Sequence, residues 1–140
     1  METLTRHLSV LIPYRQKFDG QFEVFLQQRD AHAPTFPRYI GFFGGGIEKG
    51  ETPEAAMRRE TREELCIELG EIFFVGHFDV PGFVRNVFTL PVESDFENSV
   101  RVMEGEGGVF LSEQEIAAHT NIIPPDQKIL LDVFMQLRKK

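Results

Sequence analysis

The chain has 140 residues, of which 15 are Lys or Arg and 22 are Asp or Glu, so its formal net charge is −7. A hydrophobic fraction of 41% and a charged fraction of 26% are ordinary for a globular protein and argue against extensive disorder. No apolar run approaches the ~20 residues that a membrane-spanning helix needs, and an acidic chain lacks the basic face that binds duplex nucleic acid. The length predicts a single domain, residues 1–140.

The N-terminal segment and the cysteine content both bear on the compartment. Residues 1–9 are polar and contain no long apolar stretch, so no secretory signal is predicted. Cys66 is the only cysteine, which excludes an intrachain disulfide and favours a cytoplasmic setting.

The first third of the chain predicts a β-hairpin and a loop. Residues 7–14 and 22–28 alternate apolar with other side chains, as half-buried strands do, and Asp19-Gly20 between them is a turn signal. Residues 31–38 include two prolines and are predicted to form a loop. A short apolar run then leads into a row of three glycines.

The remaining elements predict helices packed on a sheet. Thr52 can cap a helix that begins at Pro53 and reaches about Cys66. A short helix follows Ser112, with Glu115 in the capping-box position, and an amphipathic helix ends the chain. The predicted strands are residues 72–80, 83–92 and 109–111, the first two separated by Pro81-Gly82. This order predicts an α/β or α+β domain with a mixed sheet.

Three carboxylates fall on one face of the middle helix. Glu60, Glu63 and Glu64 are spaced i, i+3, i+4, while an apolar stripe from Met57 to Leu65 lies on the adjoining face. Like charges at this spacing repel one another, and a hard divalent cation such as Mg²⁺, which prefers oxygen ligands, would remove the repulsion. Taken alone, the three residues favour the solvated face of a charge-rich helix, because Glu is common on exposed helices.

The spacing around this helix is more specific than the helix itself. Five residues separate Gly45 from Glu51, seven separate Glu51 from Arg59-Glu60, and two separate Glu60 from Glu63-Glu64. This pattern resembles the signature of the Nudix hydrolases, Gly-x5-Glu-x7-Arg-Glu-U-x-Glu-Glu-x-Gly-U, in which U is a bulky apolar residue.

Two positions depart from that signature. Thr61 stands where an apolar residue is usual, and because it lies on the packing face we expect it to be buried with little effect. Cys66 stands where glycine is usual, at the end of the helix, where glycine is favoured because it takes positive φ without a Cβ clash. Neither position is an implied metal ligand.

The resemblance implies a fold, a metal and a reaction. Nudix domains have a mixed β-sheet sandwiched between α-helices, bind Mg²⁺ or Mn²⁺, and hydrolyse a nucleoside diphosphate linked to another group. Mg²⁺ is therefore the implied cofactor, with Mn²⁺ as an alternative. The implied metal ligands are Glu60, Glu63, Glu64 and a backbone carbonyl, that of Gly44 or Gly45. Arg59 is implied to pair with Glu51 and hold the loop against the helix.

The catalytic base varies in position among Nudix enzymes. The loop 103–108 is similar to the MutT-type loop in which a Glu lies six residues before an aromatic, and by that count Glu104 matches, six before Phe110. Glu104 would complete the metal coordination or act as the base, with Glu106 as second choice; an acidic surface loop is the alternative interpretation. The implied catalytic set is Glu51, Arg59, Glu63 and Glu104.

Substrate contacts are implied at four further positions. Arg29 ends the second strand and could pair with a phosphate or a base edge, although a surface arginine is the alternative. Gly45 lets the backbone approach phosphate. Asp126 and Gln127 lie in a segment similar to the MutT-type segment that reads the base, although a helix N-cap is the alternative for Asp126. Arg85 is considered as a phosphate contact and is not assigned.

The resulting hypothesis is a Mg²⁺-dependent, MutT-like pyrophosphohydrolase acting on a nucleoside triphosphate. ADP-ribose or another nucleotide sugar, and dinucleoside polyphosphates, are alternative substrates. A non-catalytic nucleotide sensor is disfavoured because the signature carboxylates are all present, and an interaction domain would leave the glycine-to-glutamate spacing unexplained. The predicted partner is a small-molecule nucleotide, with no membrane and no duplex nucleic acid, and the Phe-rich strands leave room for a homodimer.

Overall fold

The computed structural model describes residues 6–80 and 82–139. Residues 1–5 of the polar N-terminal segment, Pro81 of the predicted Pro81-Gly82 break, and residue 140 lie outside the described residues. The elements in chain order are β1 (Arg6–Gln16), β2 (Phe22–Gln28), β3 (Ile40–Gly41), β4 (Phe43–Gly46), α1 (Pro53–Leu65), β5 (Phe73–Val80), β6 (Phe83–Pro91), a single 3-10 turn (Phe96–Asn98), β7 (Gly107–Ser112), α2 (Glu113–Ala118) and α3 (Pro124–Arg138). None of the helices in this described part is long and apolar enough to cross a membrane.

The described strands form one mixed sheet with β1 at its centre. The order across the sheet is β3-β2-β1-β6-β5, with β7 paired to β2 and β4 paired to β1. Strand β1 runs antiparallel to β2 and β4 and parallel to β6. Because β1 and β2 form the predicted hairpin, the second half of β1 pairs with β2, which leaves the first half free to pair with β4.

Alternate side chains of β1 reach the two faces of the sheet, as the period of a strand requires. Val10 and Ile12 belong to a buried cluster that includes Leu130 of α3. Leu11 packs instead in a second cluster with Met57 of α1. The sheet is therefore sandwiched between α1 and α3, which confirms the predicted fold class.

Helix α1 begins and ends where local chemistry specifies. The Thr52 side chain accepts a hydrogen bond from the Ala55 backbone N–H at 3.1 Å, and Pro53 occupies the first turn, where its missing N–H costs nothing. The apolar stripe lies against the sheet, and its buried members are Met57, Thr61 and Leu65. The hydroxyl of Thr61 faces the Met57 sulfur at 3.6 Å, so burial of this residue agrees with the prediction.

The end of α1 adopts the conformation that glycine usually supplies. Cys66 has φ 57° and ψ 38°, in the left-handed region, and its N–H donates to the Arg62 carbonyl at 3.1 Å. The cysteine in place of the signature glycine therefore does not change how the helix ends.

The three consecutive glycines form most of strand β4. Gly44 pairs with Val10 and Gly46 pairs with Leu8 across β4 and β1. Gly44 has φ +140°, and a methyl group there would clash with the Ser9 carbonyl and lie 2.7 Å from the Val10 Cα. Pairing with β1 at this close approach therefore outweighs the weak intrinsic strand preference of glycine.

Gly44 and Gly46 lie in the same strand but differ in the space around them, which gives a testable prediction. Gly44→Ala should lower the free energy of unfolding by about 2–4 kcal/mol, because the methyl group meets backbone atoms that cannot yield and the φ angle is strained. Gly46→Ala is the matched control, since no heavy atom lies within 4 Å of its added methyl group, and it should change stability by about 0.5 kcal/mol or less. Urea denaturation measures both, and equal effects would contradict the described register.

Candidate active site

Arg59 links the helix, the preceding loop and strand β4. Its Nε and Nη2 atoms donate to the two carboxylate oxygens of Glu51 at 2.8 and 3.0 Å, a two-point pairing. Nη2 also donates to the carbonyl of Gly46 at 3.1 Å. The hydrogen bond from Arg59 lowers the pKa of Glu51, and the same contact raises the pKa of Arg59. The predicted pairing is thus present, and it fixes the loop on the helix.

Glu60 lies between Arg59 and the glycine strand. Its Oε1 accepts a hydrogen bond from Arg59 Nη1 at 3.0 Å. A methyl group on Gly45 would come within 2.6 Å of the Glu60 carboxyl group, so only glycine leaves room for this approach. The backbone of β4 and the acidic face of α1 therefore meet at Glu60.

Glu64 is the most buried of the three helix carboxylates, with 3% of its surface exposed. Its Oε1 accepts a hydrogen bond from the Gly44 backbone N–H at 3.1 Å. Burial, and next the negative charge of Glu104, raise the pKa of Glu64 to about 9, despite the opposing effect of the Gly44 N–H. Glu60 adds to the same upward shift. Glu60 and Glu104 therefore both lie close enough to Glu64 to act on its carboxyl group.

Backbone hydrogen bonds hold Glu104 beside Glu64. The Met103 N–H donates to the main-chain carbonyl of Glu64 at 2.8 Å, and the side chain of Gln27 donates to the Glu104 carbonyl at 3.2 Å. The Glu106 N–H donates to a carbonyl of β2, and the Glu106 side chain is exposed. Of the two acids proposed from the loop, Glu104 is the one whose charge acts on Glu64.

Glu63 lies at the outer edge of the cluster. Its side chain is 60% exposed, with one oxygen 3.7 Å from Arg59 Nη1. No three His, Cys, Asp or Glu side chains of residues 6–80 and 82–139 are positioned as a ready-made metal site. In this arrangement Glu60 contacts Arg59, and Glu64 contacts the Gly44 N–H.

The donor set nevertheless fits a hard divalent cation. All the side-chain donors are carboxylate oxygens, which Mg²⁺ and Mn²⁺ accept. No salt bridge within the described residues reaches Glu64, so its repulsion with Glu60 and Glu104 is not neutralised by the protein itself. A cation of charge +2 held by these oxygens would remove that repulsion.

A cavity of about 490 Å³ opens beside the glycine strand. Gly44 and Gly45 line it on the side of the carboxylates, and Phe42 and Phe83 supply apolar walls. Asp126 and the buried Arg85 line the cavity as well. An apolar cavity of this volume with a few polar groups is typical of a small-molecule site.

Asp126 is not the N-cap of α3, so that alternative is wrong. The helix begins at Pro124 with Ile123 in the cap position, and Asp126 is the third helical residue. Its side chain is buried and accepts a hydrogen bond from Arg85 Nε at 3.0 Å. Burial raises the pKa of Asp126 to about 6, against the opposing effects of Arg85 and of a hydrogen bond from the Phe42 backbone.

Arg29 and Gln127 occupy different positions. Arg29 lines the cavity, and its guanidinium donates to the Thr35 carbonyl at 3.0 Å and to the Thr35 hydroxyl at 3.3 Å. The Gln127 amide donates to the carbonyls of Ile116 and His119 at 2.8 and 3.2 Å, which joins α2 to α3. Gln127 is not one of the described residues that line the cavity.

Arg85 is the residue that sequence reasoning left unassigned. It lies on β6 with 7% of its surface exposed and is tied to Asp126, a residue 41 positions later. The period-two pattern of β6 puts Phe83, Arg85 and Val87 on one face of the sheet. A charged residue between two apolar ones on that face is the sequence feature that could have identified Arg85.

The raised pKa of Asp126 predicts a pH-dependent stability. Between pH 3.8 and about 6 the unfolded chain loses the Asp126 proton while the folded chain keeps it. The stabilisation that Asp126 gives the folded state is therefore complete below pH 3.8 and is lost as the pH rises through 6. Across this interval the free energy of unfolding falls by about 1.4 kcal/mol per pH unit. Urea titrations from pH 4 to 7 of the wild type and of Asp126→Asn should differ by this slope, and parallel curves would contradict it.

Comparisons with known proteins agree on one family. The family model of the NUDIX domain matches residues 5–133. The chain is 31% identical over 122 residues to the CTP pyrophosphohydrolase of Escherichia coli (strain K12), covering 86% of each chain.

Solved structures share the fold at lower sequence identity. A MutT/nudix family protein from Enterococcus faecalis superimposes with a TM-score of 0.78 at 14% identity; all of this chain is covered, but only 64% of that protein. The NUDIX domain of Shewanella oneidensis NrtR, crystallised with ADP ribose, gives a TM-score of 0.73 at 16% identity, covering 99% of this chain and 91% of that one. The chain therefore belongs to the Nudix hydrolase family and is a pyrophosphohydrolase.

Proposed function

We propose that this pyrophosphohydrolase acts on nucleoside triphosphates and uses Mg²⁺. The observation that carries the proposal is that Glu60 and Glu104 both act on buried Glu64, which contacts the Gly44 backbone, and that Gly44 also lines a 490 Å³ cavity with aromatic walls. The acids suit the phosphate end of a nucleotide once a cation is bound, and the aromatic walls suit its base.

The metal ligands proposed from the family signature remain our proposal. Glu60, Glu63, Glu64 and the Gly44 carbonyl would hold the ion, with Mn²⁺ as an alternative to Mg²⁺. When bound, such an ion neutralises phosphate oxygens and makes a coordinated water more acidic. Arg59 donates to Oε1 of Glu60, so Oε2 is the oxygen through which Glu60 could hold the ion while it keeps this contact.

Each remaining residue has a distinct task in the proposed reaction. Arg59 and Glu51 fix the loop between β4 and α1, and Gly45 of β4 lines the cavity, where its backbone could approach a phosphate. Arg29 can pair with a phosphate oxygen at the cavity rim. Glu104 is the proposed general base, because it is exposed beside buried Glu64.

The bond changes follow from these positions. A water oxygen attacks one phosphorus of the anhydride as its proton passes to a carboxylate, for which we propose Glu104. The bridging P–O bond breaks, and the departing phosphate or pyrophosphate carries away the electron pair. For a nucleoside triphosphate the products are a nucleoside monophosphate and pyrophosphate. The protein contributes position and charge and forms no covalent intermediate.

Two relatives bear on the choice of substrate. The curated relative at 31% identity is a CTP pyrophosphohydrolase, which supports a nucleoside triphosphate and puts CTP first in any panel. The Shewanella domain was crystallised with ADP ribose. Because this chain resembles that domain in fold, ADP-ribose is the second candidate substrate.

Hydrolysis tests the proposal directly. With Mg²⁺, release of pyrophosphate or phosphate should be measured for the four ribonucleoside triphosphates, ADP-ribose and a dinucleoside polyphosphate. Glu64→Gln should lower kcat by about 10²- to 10³-fold, and Glu104→Gln by about 10²- to 10⁴-fold. Glu68→Gln is the control, since Glu68 is exposed and pairs with Arg62 outside the cluster. Full activity of Glu64→Gln would show that the ligand set is wrong.

Cation binding should also appear in the melting temperature. Millimolar Mg²⁺ or Mn²⁺ should raise Tm of the wild type, because a ligand that binds only the folded state stabilises it and here also relieves carboxylate repulsion. The same salts should raise Tm of Glu64→Gln by much less, and Glu68→Gln should respond like the wild type. An identical cation response in all three proteins would remove the carboxylate cluster as the binding site.

A further inference from the structure

A buried glutamine lies near the end of β2, on the side of the sheet that α1 covers. Phe25 and Gln27 are two residues apart in the strand and therefore share a face. Phe25 packs in a buried cluster with Leu65 of α1, whereas Gln27, with 6% of its surface exposed, brings a polar group to the same face. Because a buried polar group needs a hydrogen-bond partner, the partner of Gln27 indicates its role.

The side-chain amide of Gln27 holds the main chain of Glu104. Its Nε2 atom donates to the Glu104 carbonyl oxygen at 3.2 Å. A carbonyl oxygen can only accept a hydrogen bond, so the NH₂ group of the amide must face it, which fixes the orientation of the amide. The two residues are 77 positions apart, and their contact joins β2 to the loop that precedes β7.

Main-chain contacts attach this loop on either side of Glu104. The N–H groups of Met103 and Glu106 donate at 2.8 Å to carbonyls of α1 and β2. Between them, Gly105 has φ +76°, and a methyl group there would clash with the Gln28 carbonyl oxygen. The turn therefore lies directly on the backbone of β2.

The residue at the turn is held less firmly than the residues that flank it. Within residues 6–80 and 82–139, the Gln27 amide makes the one hydrogen bond that reaches Glu104, whose side chain is exposed. A cavity of about 320 Å³, lined by Gln27, Arg29, Glu104 and Gly105 among others, adjoins the turn and gives it room to move. The place of the Glu104 carboxylate relative to Glu64 is therefore set through the main chain of residue 104.

We propose that Gln27 is a positioning residue for hydrolysis, which holds the main chain of Glu104 so that the Glu104 carboxylate reaches the proton of the attacking water. The inference rests on the proposed function, which assigns Glu104 as the general base. In this role Gln27 acts through Glu104 and needs no contact with the anhydride. Misplacement of a reacting group by about 1 Å can lower a rate by about 100-fold, so one such hydrogen bond is sufficient to affect kcat.

The first test measures the kinetics of Gln27→Met. Methionine fills a similar space but cannot donate a hydrogen bond to the loop. With Mg²⁺ and the best substrate of the nucleotide panel, kcat should fall by about 10- to 100-fold while KM stays within about 3-fold, because substrate binding does not use the base. Gln16→Met is the matched control, since Gln16 Nε2 donates to the backbone carbonyl of Gly20 in the distant hairpin at 3.1 Å. It should keep the wild-type kcat.

Combining the change with Glu104→Gln shows whether Gln27 acts through Glu104. Once the base is removed, its position no longer matters, so the double variant should lie within about 3-fold of Glu104→Gln alone. A further loss as large as in the wild-type background would show that Gln27 supports the fold in general, and would overturn the proposal. An unchanged kcat of Gln27→Met, in a protein that hydrolyses nucleotides, would also overturn it and leave the proposed function intact.

Hydrogen–deuterium exchange reports the attachment of the loop without nucleotide or metal. Gln27→Met should speed exchange of the 103–106 amides by about 10-fold, while the α1 amides, and the loop amides of Gln16→Met, keep their wild-type rates. Unchanged exchange in the loop would refute the positioning role. A wild type that hydrolyses no nucleotide, with faster loop exchange in Gln27→Met, would refute the proposed function and still support the attachment by Gln27.

Discussion

The arrangement of the site depends on the repulsion among carboxylates that the fold holds close together. Glu64 is buried against the Gly44 backbone, and Glu60 and Glu104 act on it from two sides. Arg59 neutralises Glu51 and Glu60, but no salt bridge of the described residues reaches Glu64. Sheet pairing and helix packing therefore hold carboxyl groups together at a place where a bound cation would balance their ionised forms.

Strand β4 connects this charge to the cavity. One side of its glycine backbone contacts Glu60 and Glu64, and Gly44 and Gly45 also line the cavity that holds Arg85 and Asp126. Side chains on these glycines would separate the two regions. The shortest connection between the proposed phosphate end and the proposed base end is thus made of main chain.

Local signals in the sequence predicted much of the fold and part of the site. Thr52 and Pro53 specify the start of α1, and the fixed spacing from Gly45 to Glu64 indicates the family. The Arg59–Glu51 contact also followed from that spacing. These predictions succeeded because each depends on residues close in sequence or on a pattern of many positions.

Contacts between distant segments are what local patterns do not predict. The glycine row forms a strand because β1 pairs with it, and glycine preference alone gives no sign of this. The N-cap alternative for Asp126 is wrong for a local reason, since the two prolines before it occupy the first helical turn and place it inside the helix. Its ion pair with Arg85 spans 41 residues, beyond any local pattern. The homodimer and the cytoplasmic setting stay predictions.

The loop that carries Glu104 is attached through main-chain atoms. Its Met103 N–H bonds to the carbonyl of Glu64, and its Glu106 N–H bonds to a carbonyl of β2. Neither bond involves the side chain at position 104, so the loop would keep its path with a different residue there. Evolution can therefore exchange the functional group offered at this point by one codon change, without rebuilding the scaffold that presents it.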